Sequence, residues 1–190
     1  MRILTLLLIS LLSAAAGQAA AQEDITIDSS VAFYEGEKSN YVIYPPDNFV
    51  MVEDPAIADG YSFGFVPHGE SYQDAELFIG VNIFKIRGMN FADVLAADTA
   101  QVHKHYGSTT VIWPVDSVFI ATGEEIPTFF INDTTGFIPS VMMSYYDGGN
   151  EIVIFELVIA DGTARFKAED VYIQCLERFK VLPIGELGYN

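Results

Sequence analysis

The chain has one cysteine, Cys175, and nine lysines and arginines against 26 acidic residues. Each scarcity excludes something. A small exported domain stapled by disulfides carries its cysteines in an even set, so this one has to stand on its apolar core. The net charge of −17 sets up a field that repels polyanions, so neither nucleic acid nor anionic lipid is an expected partner. That acidity suits a solvated exported protein, or one whose partner is basic. Histidine is scarce too: there are three, two of them in "VHKHYG" (102–107). No internal repeat, low-complexity tract or long linker interrupts the sequence. After the first dozen residues the longest apolar run, "IVIFELVIA" (152–160), is broken by Glu156 and falls short of membrane-spanning length.

What is present at the start is an export signal. One arginine precedes the apolar run Ile3 to Leu12, and Ala19 and Ala21 have the A-x-A spacing that signal peptidase reads. A leader over 1–21 and a mature domain over 22–190 are expected, with cleavage after Ala16 as the alternative. As a helix the run reaches only about 15 Å, half of a ~30 Å bilayer core, so cleavage is favoured over anchoring. No cysteine lies near the cleavage region to carry a lipid anchor. Losing Arg2 with the leader leaves 8 basic residues, one fewer than nine, against 26 acidic, a net charge of −18. The expected location is the periplasm or the exterior. Asn132-Asp133-Thr134 has the form of a glycosylation sequon, which matters only in a eukaryotic cell.

The mature chain reads as strands, a helix, more strands and a closing helix. Residues 24–33 form an arm or edge strand. "NYVIYPPDNFVMVED" holds two strand-like runs about Pro45-Pro46, a bend because neither proline can donate to a ladder. "GYSFGFVPHG" and "AELFIGVNIFKIRG" are strands, the second with Leu77, Ile79, Val81 and Ile83 on one face and Phe78, Gly80, Asn82 and Phe84 on the other. A helix follows, capped by Asn90 with Asp93 three residues on and stopped at Gly107. Its apolar stripe is Phe91, Val94, Leu95, Val102 and Tyr106. "STTVIWPVDSVFIATG" and "IPTFFINDTTG" are read as strands separated by a Gly-Glu-Glu turn. Then comes a hairpin turning at 147–150, whose second arm is apolar on both faces and therefore central. "RFKAEDVYIQCLERFKVLP" is an amphipathic helix with Val171, Tyr172, Cys175, Leu176 and Phe179 inward. The class is α+β: one domain, an antiparallel β-sheet packed against amphipathic helices.

The early "YVIYPPDNF" bend, the strand running into a helix in "VNIFKIRGMNFADVL", the run of strands and the closing "CLERFKVLP" together resemble the PsbP-like superfamily, over most of the mature chain. That superfamily includes an extrinsic subunit of photosystem II, a nuclear-import factor that binds a small GTPase, bacterial periplasmic proteins and secretion-effector chaperones. The resemblance implies a PsbP-like fold and a non-enzymatic module that binds other proteins. It brings no catalytic motif to carry over, and the lipoprotein cysteine of some bacterial members is missing here.

Candidate sites are few. On a helix His103 and His105 lie about 200° apart and cannot share an ion, since helical metal pairs use i, i+4 spacing; Gln101, at i−4 from His105, is a poor ligand. The stretch reads as the solvated end of a helix, where the dipole favours protonated imidazole. Asp98 projects beside the apolar stripe, at the rim or bonded to a strand end. Cys175 points inward and reads as an inert core thiol. No G-x-S-x-G elbow, calcium-loop order, glycine-rich phosphate loop or basic patch is present. Tyr61, Phe63 and Phe65, read as one strand face, together with Phe78 and Phe84, either pack in the core or line a groove for a sugar or apolar ligand. The expectation is no catalytic residue, cofactor or metal, and a protein partner; the alternative is a small-ligand binder with an aromatic pocket on the sheet.

Overall fold

In the computed structural model, residues 31–52, 54–106, 109–116, 118–133, 139–160 and 165–184 are described. The expected leader and cleavage region, Gly107 and Thr134 of the sequon lie outside them, as does the side chain of His105.

Among the described residues, ten strands and three helices follow one another. β1 (Ala32–Glu35), β2 (Ser39–Ile43), β3 (Phe49–Met51), α1 (Asp54–Ala58), β4 (Phe63–Pro67), β5 (Leu77–Lys85) and α2 (Phe91–Tyr106) make the first half. β6 (Thr110–Val115), β7 (Thr128–Asp133), β8 (Ser140–Asp147), β9 (Glu151–Ile159), α3 (Arg165–Arg178) and β10 (Lys180–Pro183) make the second. A seven-stranded sheet has the order β3-β4-β5-β9-β8-β7-β6 and a three-stranded sheet the order β1-β2-β10. Every neighbouring pair is antiparallel. This is the α+β arrangement expected from the element order.

The apolar-on-both-faces strand, β9, is central, between β5 and β8. Its Val153, Phe155, Leu157 and Ile159 belong to the main core, which also takes in α3, part of the small sheet and the first face of the large sheet. Phe179 is the hub there, its ring 5.0 Å from that of Phe155, 5.3 Å from Tyr146 and 6.0 Å from Tyr41. On the second face Ile152 and Ile154 pack under α2 with Val94 and Val102. Phe78, Tyr61 and Val66 pack with Ala56 of α1. Both faces are thus covered, which is why the strand needs no polar alternation.

Asn90 Oδ1 accepts from the Asp93 amide at 2.9 Å, and the Asn90 amide group donates to Asp93 Oδ2 at 2.6 Å, fixing the start of α2. The Pro45-Pro46 bend carries the chain from one sheet to the other. The Phe49 amide donates to the Pro46 carbonyl at 3.1 Å, with Asn48 at φ 64°, the left-handed third position that a type II turn requires.

Four local readings change. The run 108–123 is not one strand: β6 stops at Val115, and Val118 to Ile126 form a small bridge-closed hairpin turning at Gly123 (φ 81°), which sends Val118, Ile120 and Ile126 into the main core. The tail of the closing helix is a strand, β10, pairing with β2. The five-residue α1 follows β3 where the sequence pattern suggests no helix. Tyr61 precedes β4 rather than lying in it, and it packs on the second face while Phe63 and Phe65 enter the main core.

Candidate functional site

At the β6 margin the first face of the large sheet runs out from under α3 and leaves a groove of about 430 Å³. Trp113, Val115, Phe130 and Met142 come from three adjacent strands, and Glu169 and Ile173 stand on α3. The Trp113 ring lies 5.8 Å from that of Phe130, nearly parallel at 19°, and yet stays 42% exposed. Trp113 sits on β6, the end strand of the sheet, which among the described residues has a neighbour on one side only. Phe119, on the hairpin that follows β6, is 44% exposed. Asp116, Glu124 and Glu125 are exposed on the same stretch of chain. Trp113 and Phe119 are thus large apolar groups held in water, with acids close by along the chain.

A second groove, of about 570 Å³, runs along the Pro45-Pro46 bend, with Tyr44, Arg178 and Lys180 on its walls. The Arg178 guanidinium donates to Asp47 Oδ1 at 2.8 Å and to the Pro45 carbonyl at 3.2 Å, and Lys180 Nζ stands 5.1 Å from the centre of the Tyr44 ring. Both cations are thus engaged in holding the bend.

The buried acids lie elsewhere. Glu156, in the middle of β9, faces α2's side of the sheet between Gly80 on β5 and Met143 on β8. Because Gly80 has no side chain, the Tyr61 ring lies close over it; a Cβ there would collide with that ring. The packing brings the Tyr61 hydroxyl to Glu156 Oε2, donating at 2.8 Å. Burial pushes the Glu156 carboxyl up to about 7; the Tyr61 bond opposes this and the nearby Asp98 charge adds to it. Asp98 is 3% exposed and accepts from the Tyr145 hydroxyl at 2.5 Å. Burial raises it above the usual carboxylate range against the pull of that bond. Its expected place was the rim or a bond to a strand end; it lies instead in the interior, bonded to a tyrosine side chain from within β8. Glu151, 1% exposed, is the third: its Oε2 accepts from the Tyr41 hydroxyl and the Glu37 amide, both at 3.3 Å, tying the β1–β2 turn to the β8–β9 turn.

The remaining candidates are placed as follows. His103 is exposed near the end of α2, and no hydrogen bond or ion pair brings it to Asp98. Cys175 is fully buried, and burial pushes its thiol up to about 12, far from a reactive thiolate at neutral pH. Tyr61, Phe63, Phe65 and Phe78 are all buried, and the Tyr61 and Phe78 rings meet edge to face at 5.0 Å; these rings fill core rather than line a cleft. Among the described residues, no three of His, Cys, Asp and Glu gather where they could hold a metal ion, and no helix is long and apolar enough to cross a membrane.

Sequence reasoning missed Trp113 as an exposed ring and Glu156 as a buried acid. A signal for the first was present, a tryptophan beside Pro114 in a strand rich in β-branched residues, since proline belongs to edges. For the second, the signal was a glutamate inside a strand apolar on both faces.

No protein-family model and no curated protein matches the sequence. Among solved structures, the solution structure of cyanobacterial PsbP (CyanoP) from Synechocystis sp. PCC 6803 superposes with a TM-score of 0.51 at 14% identity, over 88% of this chain and 99% of that one. The architecture the sequence pointed to is the one found: this chain has the PsbP-like fold.

Proposed function

We propose that this protein is an exported, acidic, non-catalytic module of the periplasm that seats an extended segment of another protein in the Trp113 groove. The observation that carries the reading is Trp113 itself, stacked on Phe130 and still 42% in water at the open margin of the sheet. Tryptophan is the residue most enriched among side chains that dominate binding energy, and a ring already held by a neighbour loses little entropy on contact. The flanking acids Asp116, Glu124 and Glu125 and the overall charge of −17 favour a segment with an apolar anchor between lysines or arginines. The leader over 1–21 supports export. Fold likeness at 14% identity names no partner, so the chemistry of the groove has to.

The test is a photo-crosslinking residue placed at Phe119 in cells that export the full chain, with Trp113→Ala introduced in the same background. A discrete adduct that Trp113→Ala removes, at unchanged thermal stability, supports the reading. An adduct indifferent to Trp113→Ala, or equally strong from position 87, overturns it. A sugar or apolar small molecule stacked on Trp113 is the competing occupant. Its signature is a saturable change in Trp113 fluorescence with the compound alone and no protein adduct.

A further inference from the structure

Beneath α2 lies a polar group that the groove does not use. Asp98 from α2, Tyr145 from β8, Glu156 from β9, Asn82 from β5 and Tyr61 from the approach to β4 are each 6% exposed or less. Each carboxyl has a tyrosine donor, Tyr145 for Asp98 and Tyr61 for Glu156, and the charge of Asp98 acts on Glu156. Among the described side chains, no lysine, arginine or histidine bears on either. Tyr172, from α3 on the opposite face, is occupied with the Phe155 carbonyl at 2.9 Å. On α2 itself, Asp93, His103 and Lys104 are exposed, and Gln101, three residues beyond Asp98, has a buried Oε1 without a partner. Two like charges in such a medium, with no cation among the described side chains between them, cannot both be held at low cost.

Among its described side chains the seat of α2 is otherwise modest. Val94 and Val102 are buried, Phe91 and Leu95 are partly buried against them, and Ala92, Ala96, Ala97 and Ala100 face water. We propose that Asp98 and Glu156 form a proton-operated latch, which seats α2 on the sheet while a proton is bound and releases it when both carboxyls are ionised. Release uncovers the apolar second face around Ile131, Val141, Met143, Ile152 and Ile154. The sign follows from burial. A carboxyl raised from 4.5 to about 7 on seating binds its proton more tightly in the seated state, so the seat is firmest below 4.5 and weakens as pH rises through about 7.

Hydrogen exchange of the full chain, read by peptide at pH 5 to 8 and corrected for intrinsic rates, tests this. Protection over 91–106 is expected to fall on the order of fifty-fold from pH 5 to pH 8, while β5, β8 and β9 keep theirs. Glu156→Gln is expected to flatten the α2 profile; Asp98→Asn serves as the second variant should the first fail to fold. Constant protection of α2 overturns the latch. So does a fall unchanged in the variants, or one shared equally by the central strands. The groove proposal stands or falls separately, because Trp113 lies on the other face of the sheet.

Discussion

Replacing Glu156 by glutamine isolates the cost of one carboxyl in the middle of a sheet. In the unfolded chain this group titrates at its ordinary 4.5, and in the folded protein at about 7. At 1.36 kcal/mol per unit, the full shift is worth about 3 kcal/mol. The folded state binds the proton more tightly. Its contribution to stability is therefore complete below 4.5 and is lost as pH rises through 7, with about 2.5 kcal/mol disappearing between pH 5 and pH 8. Glutamine keeps the shape and an acceptor oxygen for the Tyr61 hydroxyl but cannot ionise. The many other acids also titrate, so the informative quantity is the difference between the two proteins at each pH. Urea unfolding followed by Trp113 fluorescence at pH 5, 6, 7 and 8 gives that difference by linear extrapolation. Glu156→Gln is expected to gain about 2.5 kcal/mol on the natural protein between the ends of the series, whatever its offset at pH 5. A difference flat across the series would show that Glu156 is ionised in the fold at no cost, and the reasoning from burial would be wrong.

Two further outcomes follow from the packing. Gly80→Ala drives a methyl into the Tyr61 ring and strains the Tyr61–Glu156 bond, so thermal or urea unfolding should register a loss of about 1–3 kcal/mol. Cys175, fully buried and with its thiol raised to about 12, should resist a disulfide reagent at pH 8 in the native protein and react promptly in urea. Native-state labelling at the unfolded rate would contradict its position.

The parts of the fold legible in the sequence are those set by local chemistry. The Asn90–Asp93 cap, the period of α2 and α3, the 147–150 turn and the alternation of β5 all depend on neighbours a few residues away. The doubly apolar pattern of β9 also announced its central place. What escaped was set at a distance. Alternation says that Glu156 faces Gly80's side of the sheet only once the β5–β9 register is known, with Gly80 opposite Glu156. Tyr61 was grouped with Phe63 and Phe65 by spacing, but the strand begins after it and the ring is drawn to the vacancy over Gly80. Asp98 was located on the correct flank of α2, while its depth depended on Tyr145, 47 residues away. The exposure of Trp113 depended on where α3 ends its cover, which no local pattern encodes. The aromatic set read from spacing as a possible cleft was absorbed by two different cores for the same reason.

The three-stranded sheet has a consequence for when the molecule can be finished. Its middle strand holds Tyr41 between Tyr34 on one side and Val181 on the other, so an element near the beginning of the chain waits for one near its end. Until the last strand has been synthesised, the β1–β2 hairpin lacks a flank and Phe179 is not there to stack on Tyr41. A chain still emerging with its early strands first therefore cannot lock itself shut midway, and completion waits for β10 and Phe179.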